Sequence, residues 1–172
     1  ISIRALLLSS ICFGNSKISN VLESDDVLNT LKSLKSLGIK IIKKKNVFEV
    51  YGNGGVFSQP SKDLYLGNSG TGIRLLTGYL SGIGKKYVLK GDESLSNRPM
   101  SRVSDPLNEF GAKITLNNGK PPIEIMPSEL KNSFSYTLPI PSAQLKSSLL
   151  FAALNAKKKI EIIEPLLSRD HT

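Results

Sequence analysis

The sequence predicts an α/β (α+β) fold built as a pseudo-threefold repeat of strand–helix–strand–helix–strand–strand (βαβαββ) units. Three observations carry this. Three segments share one order of residue types: a small or polar residue, a cation two to four positions on, an apolar helix, a strand, then a serine-bearing loop. The loop serines stand at Ser24, Ser96 and Ser168, a spacing of 72 each time, and self-similarity at a fixed period marks a repeated structural unit. Two of the segments then continue alike, into a second helix closed by a glycine, a lysine-bearing strand, a polar turn and a short strand.

In the first unit, residues 1–13 are apolar with one charge, Arg4. The run is shorter than the roughly 18 apolar residues of a membrane span and lacks an Ala-x-Ala cleavage site. It reads as a buried helix with Cys12 on its core face, followed by a strand through Ile18. A second helix over 26–37 has Val27, Leu28, Leu31 and Leu34 at helical spacing. Gly38 caps it, as glycine commonly does after a last helical turn. Strands follow at 39–42 and 47–50, separated by the turn Lys45-Asn46.

The second unit opens with the strand 64–66 and the glycine-rich loop 67–72, then a helix carrying Arg74 and a strand around Val88. Residues 94–97 read as a polar loop. Pro99 suits the first turn of the next helix, whose apolar face is Val103, Leu107 and Phe110, with Gly111 as its cap. Strands at 112–115 and 123–125 flank the turn 117–120. The third unit starts a helix at Ser142, continues to a strand around Ile160 and a loop at 167–170, and is expected to be incomplete at Thr172.

With 172 residues, such a chain buries roughly 70% of its unfolded surface, so a core forms without staples. A composition of 40% hydrophobic and 22% charged residues, with mean hydropathy −0.07, excludes collagen-like and disordered chains. One cysteine excludes a disulfide framework and fits a reducing compartment, the cytoplasm. One histidine and one cysteine cannot assemble a metal cluster. Ser168, Asp170 and His171 adjoin in sequence, which is not triad geometry.

The net charge is +9, from 23 basic and 14 acidic residues. It is consistent with a lysine-rich surface, a polyanion partner or a pocket for small anions. Tryptophan is absent and aromatics make up 6%, which argues against a stacking platform for single-stranded nucleic acid.

Three cations, Arg4, Arg74 and Lys146, occupy equivalent positions near helix amino-termini. Each opposes the helix dipole at a cost of a few tenths of a kcal/mol up to about one. Recurrence in all three units points to an anion held among them, by backbone N–H groups as well as side chains. The loop 67–72 leads from strand to helix but matches neither the Walker A nor the GxGxxG pattern, so it reads either as a turn with a helix cap or as an anion loop. Arg98, just before Pro99, is placed to grip a carboxylate or phosphate in bidentate fashion.

Four stretches, residues 67–74 (Gly-Asn-Ser-Gly-Thr-Gly-Ile-Arg), 91–100, 141–147 and 168–172 (Ser-Arg-Asp-His-Thr), resemble, in order, the 5-enolpyruvylshikimate-3-phosphate (EPSP) synthase family. The wording Asp-Glu-Ser-Leu-Ser at 92–96 and Ser-Ala-Gln at 142–144 is similar to the second, bacterial class. The resemblance implies an enolpyruvyl transferase fold, an inside-out α/β barrel domain. Residues 1–172 would then be most of the first globular domain, with an incomplete third unit and the partner C-terminal domain absent.

The implied reaction moves the enolpyruvyl group of phosphoenolpyruvate to the 5-hydroxyl of shikimate 3-phosphate and releases phosphate. It is a step of the shikimate pathway toward chorismate and the aromatic amino acids. No cofactor or metal is implied, and no nucleic-acid or membrane partner. By position, Arg4, Ser142, Ala143, Gln144 and Arg169 would bind shikimate 3-phosphate. Gly70, Arg98 and Gln144 would bind phosphoenolpyruvate, with Asn68, Arg74 and Lys146 in support. Glyphosate competes with phosphoenolpyruvate in this family, and Gly70, lacking a side chain, leaves it space.

In the family a Lys-Ser pair precedes the residue matching Ile1, Ile3 stands where Asn or His is common, and the acid-base Asp, Glu and Lys lie in the partner domain. No catalytic residue is therefore assigned to this fragment, and the chain alone is expected to be inactive. The full-length enzyme is expected to be a monomer, whereas the fragment has uncovered surfaces that favour self-association. Two alternatives stay open. One is the fold-sharing UDP-N-acetylglucosamine enolpyruvyl transferase, which usually has a reactive cysteine in a mobile loop. The other is a non-catalytic basic module that binds nucleic acid.

Overall fold

A computed structural model describes residues 1–165; Arg169, with the whole 168–172 motif, lies outside the described residues. The first unit comprises α1 (Ser2–Ile11), β1 (Phe13–Ser19), α2 (Asp25–Ser36), β2 (Lys40–Lys44) and β3 (Val47–Asn53). The second comprises β4 (Leu64–Tyr65), α3 (Gly70–Ser81), β5 (Tyr87–Lys90), α4 (Glu93–Ser96), α5 (Ser101–Phe110), β6 (Lys113–Asn117) and β7 (Lys120–Met126). The third comprises β8 (Ser133–Thr137), α6 (Ala143–Ala156) and β9 (Lys159–Ile163).

The pairing repeats with the elements. The antiparallel order β1–β3–β2 in the first sheet recurs as β5–β7–β6 in the second. The parallel pair β4–β5 recurs as β8–β9. The sheets form no closed barrel among the described residues. Both expected glycine caps have positive φ, +90° at Gly38 and +113° at Gly111, a conformation that costs glycine little. The second hairpin turns through Asn118 and Gly119, both also at positive φ.

The structure corrects three details. Cys12 is exposed, not in the core. The buried face of α1 is Ile3, Leu6, Leu7 and Ser10, and a residue two beyond Ser10 points some 200° away from it on a 3.6-residue helix. Cys12 also lies past the last helical residue, its N–H closing on the Leu8 carbonyl. The polar stretch at 94–97 is largely the single-turn helix α4, because the Asp92 carboxylate accepts the Leu95 N–H at 2.8 Å and nucleates the turn. Pro99 sits outside α5, which starts at Ser101. The apolar face expected for α5 is buried as read.

The core centres on α3, which buries ten of its twelve residues. It packs against α6 along a row of small residues. A Cβ on Gly78 would stand 2.0 Å from the Ser148 carbonyl oxygen, and one on Gly82 would stand 2.3 Å from that of Ala152. Glycine is therefore required at both positions for the two backbones to approach. The α6 side chains then donate into α3 carbonyls, Ser148 to Arg74 at 2.9 Å and Asn155 to Tyr79 at 2.6 Å. Contacts that advance together along both helices make the pair parallel. In the same sense α1 joins them, with Arg4 reaching Ala143 and Ser147 at the start of α6. Its Ser10 bonds the Tyr79 hydroxyl near the end of α3 at 2.6 Å. Three helix amino-termini thus open toward one side of the molecule.

Two outcomes follow for stability. Gly78→Ala gains about 1 kcal/mol of helix propensity but drives a methyl into the α6 backbone. It is expected to lose about 1–3 kcal/mol net, read as a lower midpoint in urea denaturation. Burial raises the Tyr79 hydroxyl far above its ordinary range, and that of Tyr87 is pushed up to about 12. The unfolded chain therefore loses these protons first, so the stability these two hydroxyls contribute is constant below pH about 10 and falls as pH rises beyond it. Thermal unfolding across that range tests this, and Tyr79→Phe is expected to make the fall shallower.

Candidate anion-binding site

The mouth of the α3–α6 pair is built from the glycine loop upward. Ser69 caps α3, its hydroxyl oxygen accepting the Gly72 N–H at 2.9 Å. The Gly70 N–H turns back to the Asn68 carbonyl, also at 2.9 Å. A Cβ on Gly70 would meet Arg98 Nη1 at 2.8 Å and Arg74 Nη1 at 3.0 Å. The missing side chain thus lets two guanidinium groups close over the loop. Arg98 is held by the Asn68 side-chain oxygen.

Arg74 ties three elements together. Its Nη1 donates to the Gly70 carbonyl at 3.1 Å and to Gln144 Oε1 at 3.3 Å, and its Nη2 donates to the Pro99 carbonyl at 3.3 Å. Gln144 Nε2 donates onward to Thr71 Oγ1 at 3.0 Å. Every acceptor of Arg74 is a neutral oxygen, so its bonds are satisfied while its charge is not. Burial, and then the charges of Arg98 and Arg102, hold its pKa below the usual arginine range.

Arg4 behaves alike. Its Nε donates to Ser147 Oγ at 2.8 Å and its Nη2 to the Ala143 carbonyl at 3.0 Å. Ser142 caps α6 by accepting the Leu145 N–H at 3.3 Å. Lys146 differs from its two counterparts in the repeat, since it makes an ion pair with Glu164 at 2.9 Å, both side chains largely buried. Arg4, Asn68, Gly70, Arg74, Arg98, Ser142, Ala143 and Gln144 are thus gathered at one mouth, and Lys146 borders it through an internal partner.

Two clefts meet at the Arg74–Gln144 hydrogen bond. One, of about 400 Å³, is lined by Asn68, Gly70, Thr71, Arg98 and the α2 carboxylates Asp25 and Asp26. The other, of about 500 Å³, is lined by Ser142, Leu145, Pro99, Val103 and Arg102. The sequence reading passed over Arg102. Its signal was available, a cation in the first turn of a helix that has no acidic residue there. No group of three or more His, Cys, Asp or Glu side chains forms a metal site among the described residues. Nor, among them, is any helix long and apolar enough to cross a membrane.

A family profile for EPSP synthase (3-phosphoshikimate 1-carboxyvinyltransferase) matches residues 1–172. The chain belongs to the EPSP synthase family. It is 44% identical over 171 residues to the 3-phosphoshikimate 1-carboxyvinyltransferase of Staphylococcus carnosus, covering 98% of this chain and 39% of that protein. It is 41% identical over 174 residues to the enzyme of the same name from Bartonella henselae, covering 100% and 39%. The fold agrees with that of the solved EPSP synthase of Acinetobacter baumannii, with a TM-score of 0.93 at 39% identity over 99% of this chain and 39% of that one. The chain therefore spans about two fifths of the EPSP synthases it matches.

Gly70→Ala tests the geometry directly. Its methyl must push Arg98 and Arg74 away from the loop, weakening binding of a small phosphate-bearing anion several-fold. The fold itself should be little changed, as read by titration calorimetry beside a thermal melt.

Proposed function

We propose that this chain supplies the substrate-anion cleft of a 3-phosphoshikimate 1-carboxyvinyltransferase acting on shikimate 3-phosphate and phosphoenolpyruvate. The observation that carries the reading is the convergence of Arg4, Arg74 and Arg98, bound to neutral oxygens, with the amino ends of three parallel helices. Cations stripped of carboxylate partners beside positive helix ends keep their field for an incoming anion. Two multiply charged substrates repel one another, and such a field both offsets the repulsion and orients them.

In this reading Ser142, Ala143, Gln144 and Arg4 take shikimate 3-phosphate, joined by Arg169. Arg98, Gln144 and the Gly70 N–H take phosphoenolpyruvate, the N–H exchanging its bond to Asn68. The reaction protonates the phosphoenolpyruvate methylene. The 5-hydroxyl gives up its proton to a base as its oxygen attacks C2, and the resulting tetrahedral intermediate loses a proton from its methyl group and expels phosphate to restore the enol ether. The proton-transferring groups belong to a second domain. Residues 1–172 form most of the first, and the protein works in the cytoplasm. The complete enzyme is a monomer, whereas this chain associates with itself through surfaces its third unit leaves uncovered. The names of the relatives favour shikimate 3-phosphate over UDP-N-acetylglucosamine as acceptor.

Shikimate 3-phosphate is expected to bind the chain, with affinity falling as salt rises. Phosphate release under steady-state conditions should be undetectable with this polypeptide alone. Steep salt-dependent binding of duplex DNA with no response to shikimate 3-phosphate would contradict the reading, and normal turnover would contradict the two-domain division of labour.

A further inference from the structure

We propose that Arg102 is a further substrate-positioning residue, a cation that grips the phosphate of shikimate 3-phosphate on the Ser142 side of the Arg74–Gln144 partition. The proposal rests on the function above and adds a residue to it. Arg74 and Gln144, bonded to each other, border both clefts. Arg98 serves one side. The larger side has Arg102 as its corresponding cation.

Arg102 is exposed, and no hydrogen bond or ion pair engages it among the described residues. It stands in the first turn of α5, against the helix dipole, with no acidic neighbour in that turn. The fold therefore holds an unmatched charge at the wall of a cleft. Arg74 is already committed there, with both Nη1 hydrogens and one on Nη2 given to Gly70, Gln144 and Pro99. The full guanidinium fork of Arg102 is available.

The neighbouring donors complete a set. The Ser142 oxygen accepts the Leu145 N–H, which leaves its own proton to give. Gln144 uses one amide hydrogen on Thr71 and keeps the other. A fork, a hydroxyl and an amide N–H lining one cleft suit a tetrahedral dianion, and guanidinium binds phosphate in bidentate fashion. Val103, Leu145 and Pro99 supply the apolar part of the same cleft wall.

Calorimetric titration of the 172-residue chain, as wild type, Arg102→Gln and Arg102→Lys, with three separate ligands tests this. The ligands are shikimate 3-phosphate, shikimate and phosphoenolpyruvate. Arg102→Gln is expected to weaken shikimate 3-phosphate about tenfold or more, which is about 1.4 kcal/mol, and to change the other two less than twofold. Arg102→Lys should recover part of the loss, since charge is kept and the fork is not. A purely structural role would weaken all three ligands alike, and that result overturns the proposal. So does an Arg102→Gln variant that binds shikimate 3-phosphate as the wild type does, which leaves the functional reading standing. A wild-type chain that binds neither shikimate 3-phosphate nor phosphoenolpyruvate overturns that reading and this proposal with it.

Discussion

The parallel packing of α1, α3 and α6 is the constraint from which the rest of the structure follows. Gly78 and Gly82 let the α6 backbone sit against α3 at a distance no Cβ would permit. Ser148 and Asn155 then lock the register by donating into α3 carbonyls. Because the register is set in the buried part of the pair, the position of Gln144 beside Thr71 and Arg74 at its open end is set too. The α1 helix is pinned at both ends, through Arg4 to α6 and through Ser10 to Tyr79. The sheets take the faces the helices leave, and the three amino ends fall on one side.

That arrangement divides the positive charge into two populations. On the surface, Lys43 pairs with Glu23 and Lys90 with Asp63, each at 2.6 Å. Such exposed pairs contribute roughly 0–1 kcal/mol each. At the helix mouth, Arg4 and Arg74 spend their hydrogen bonds on neutral oxygens and keep their charge. Desolvated like charges held close are unfavourable in isolation, as the lowered pKa of Arg74 records. An anionic ligand relieves that cost, so the strain belongs to the site.

Much of the fold was legible because it repeats. Periodicity placed α2 and α5 on their apolar faces, and Gly38 and Gly111 at their ends. The spacing of 72 residues aligned Arg74 with Lys146. Local chemistry defeated the reading where one side chain decides the outcome. A single carboxylate, Asp92, turns a polar loop into α4, and the angle of Cys12, about 200° from the buried Ser10, turns it to solvent. Lys146 matched its repeat partners in sequence and departs from them in space, because Glu164 returns from the end of β9 to neutralise it.

By itself, the sequence determined the unit, its order of elements, the glycine caps and the set of cations destined for one mouth, because each depends on patterns local to a few turns of chain. Tertiary structure alone decided which of those cations keep an open charge. That outcome turns on partners 70 or more positions away, such as Gln144 for Arg74 and Ala143 and Ser147 for Arg4. It also brought Arg102 into the cleft wall, since a cation in the first turn of α5 acquires meaning only when α6 packs beside it. Pairing across such distances is set by how buried surfaces fit, and no short stretch of sequence encodes that fit.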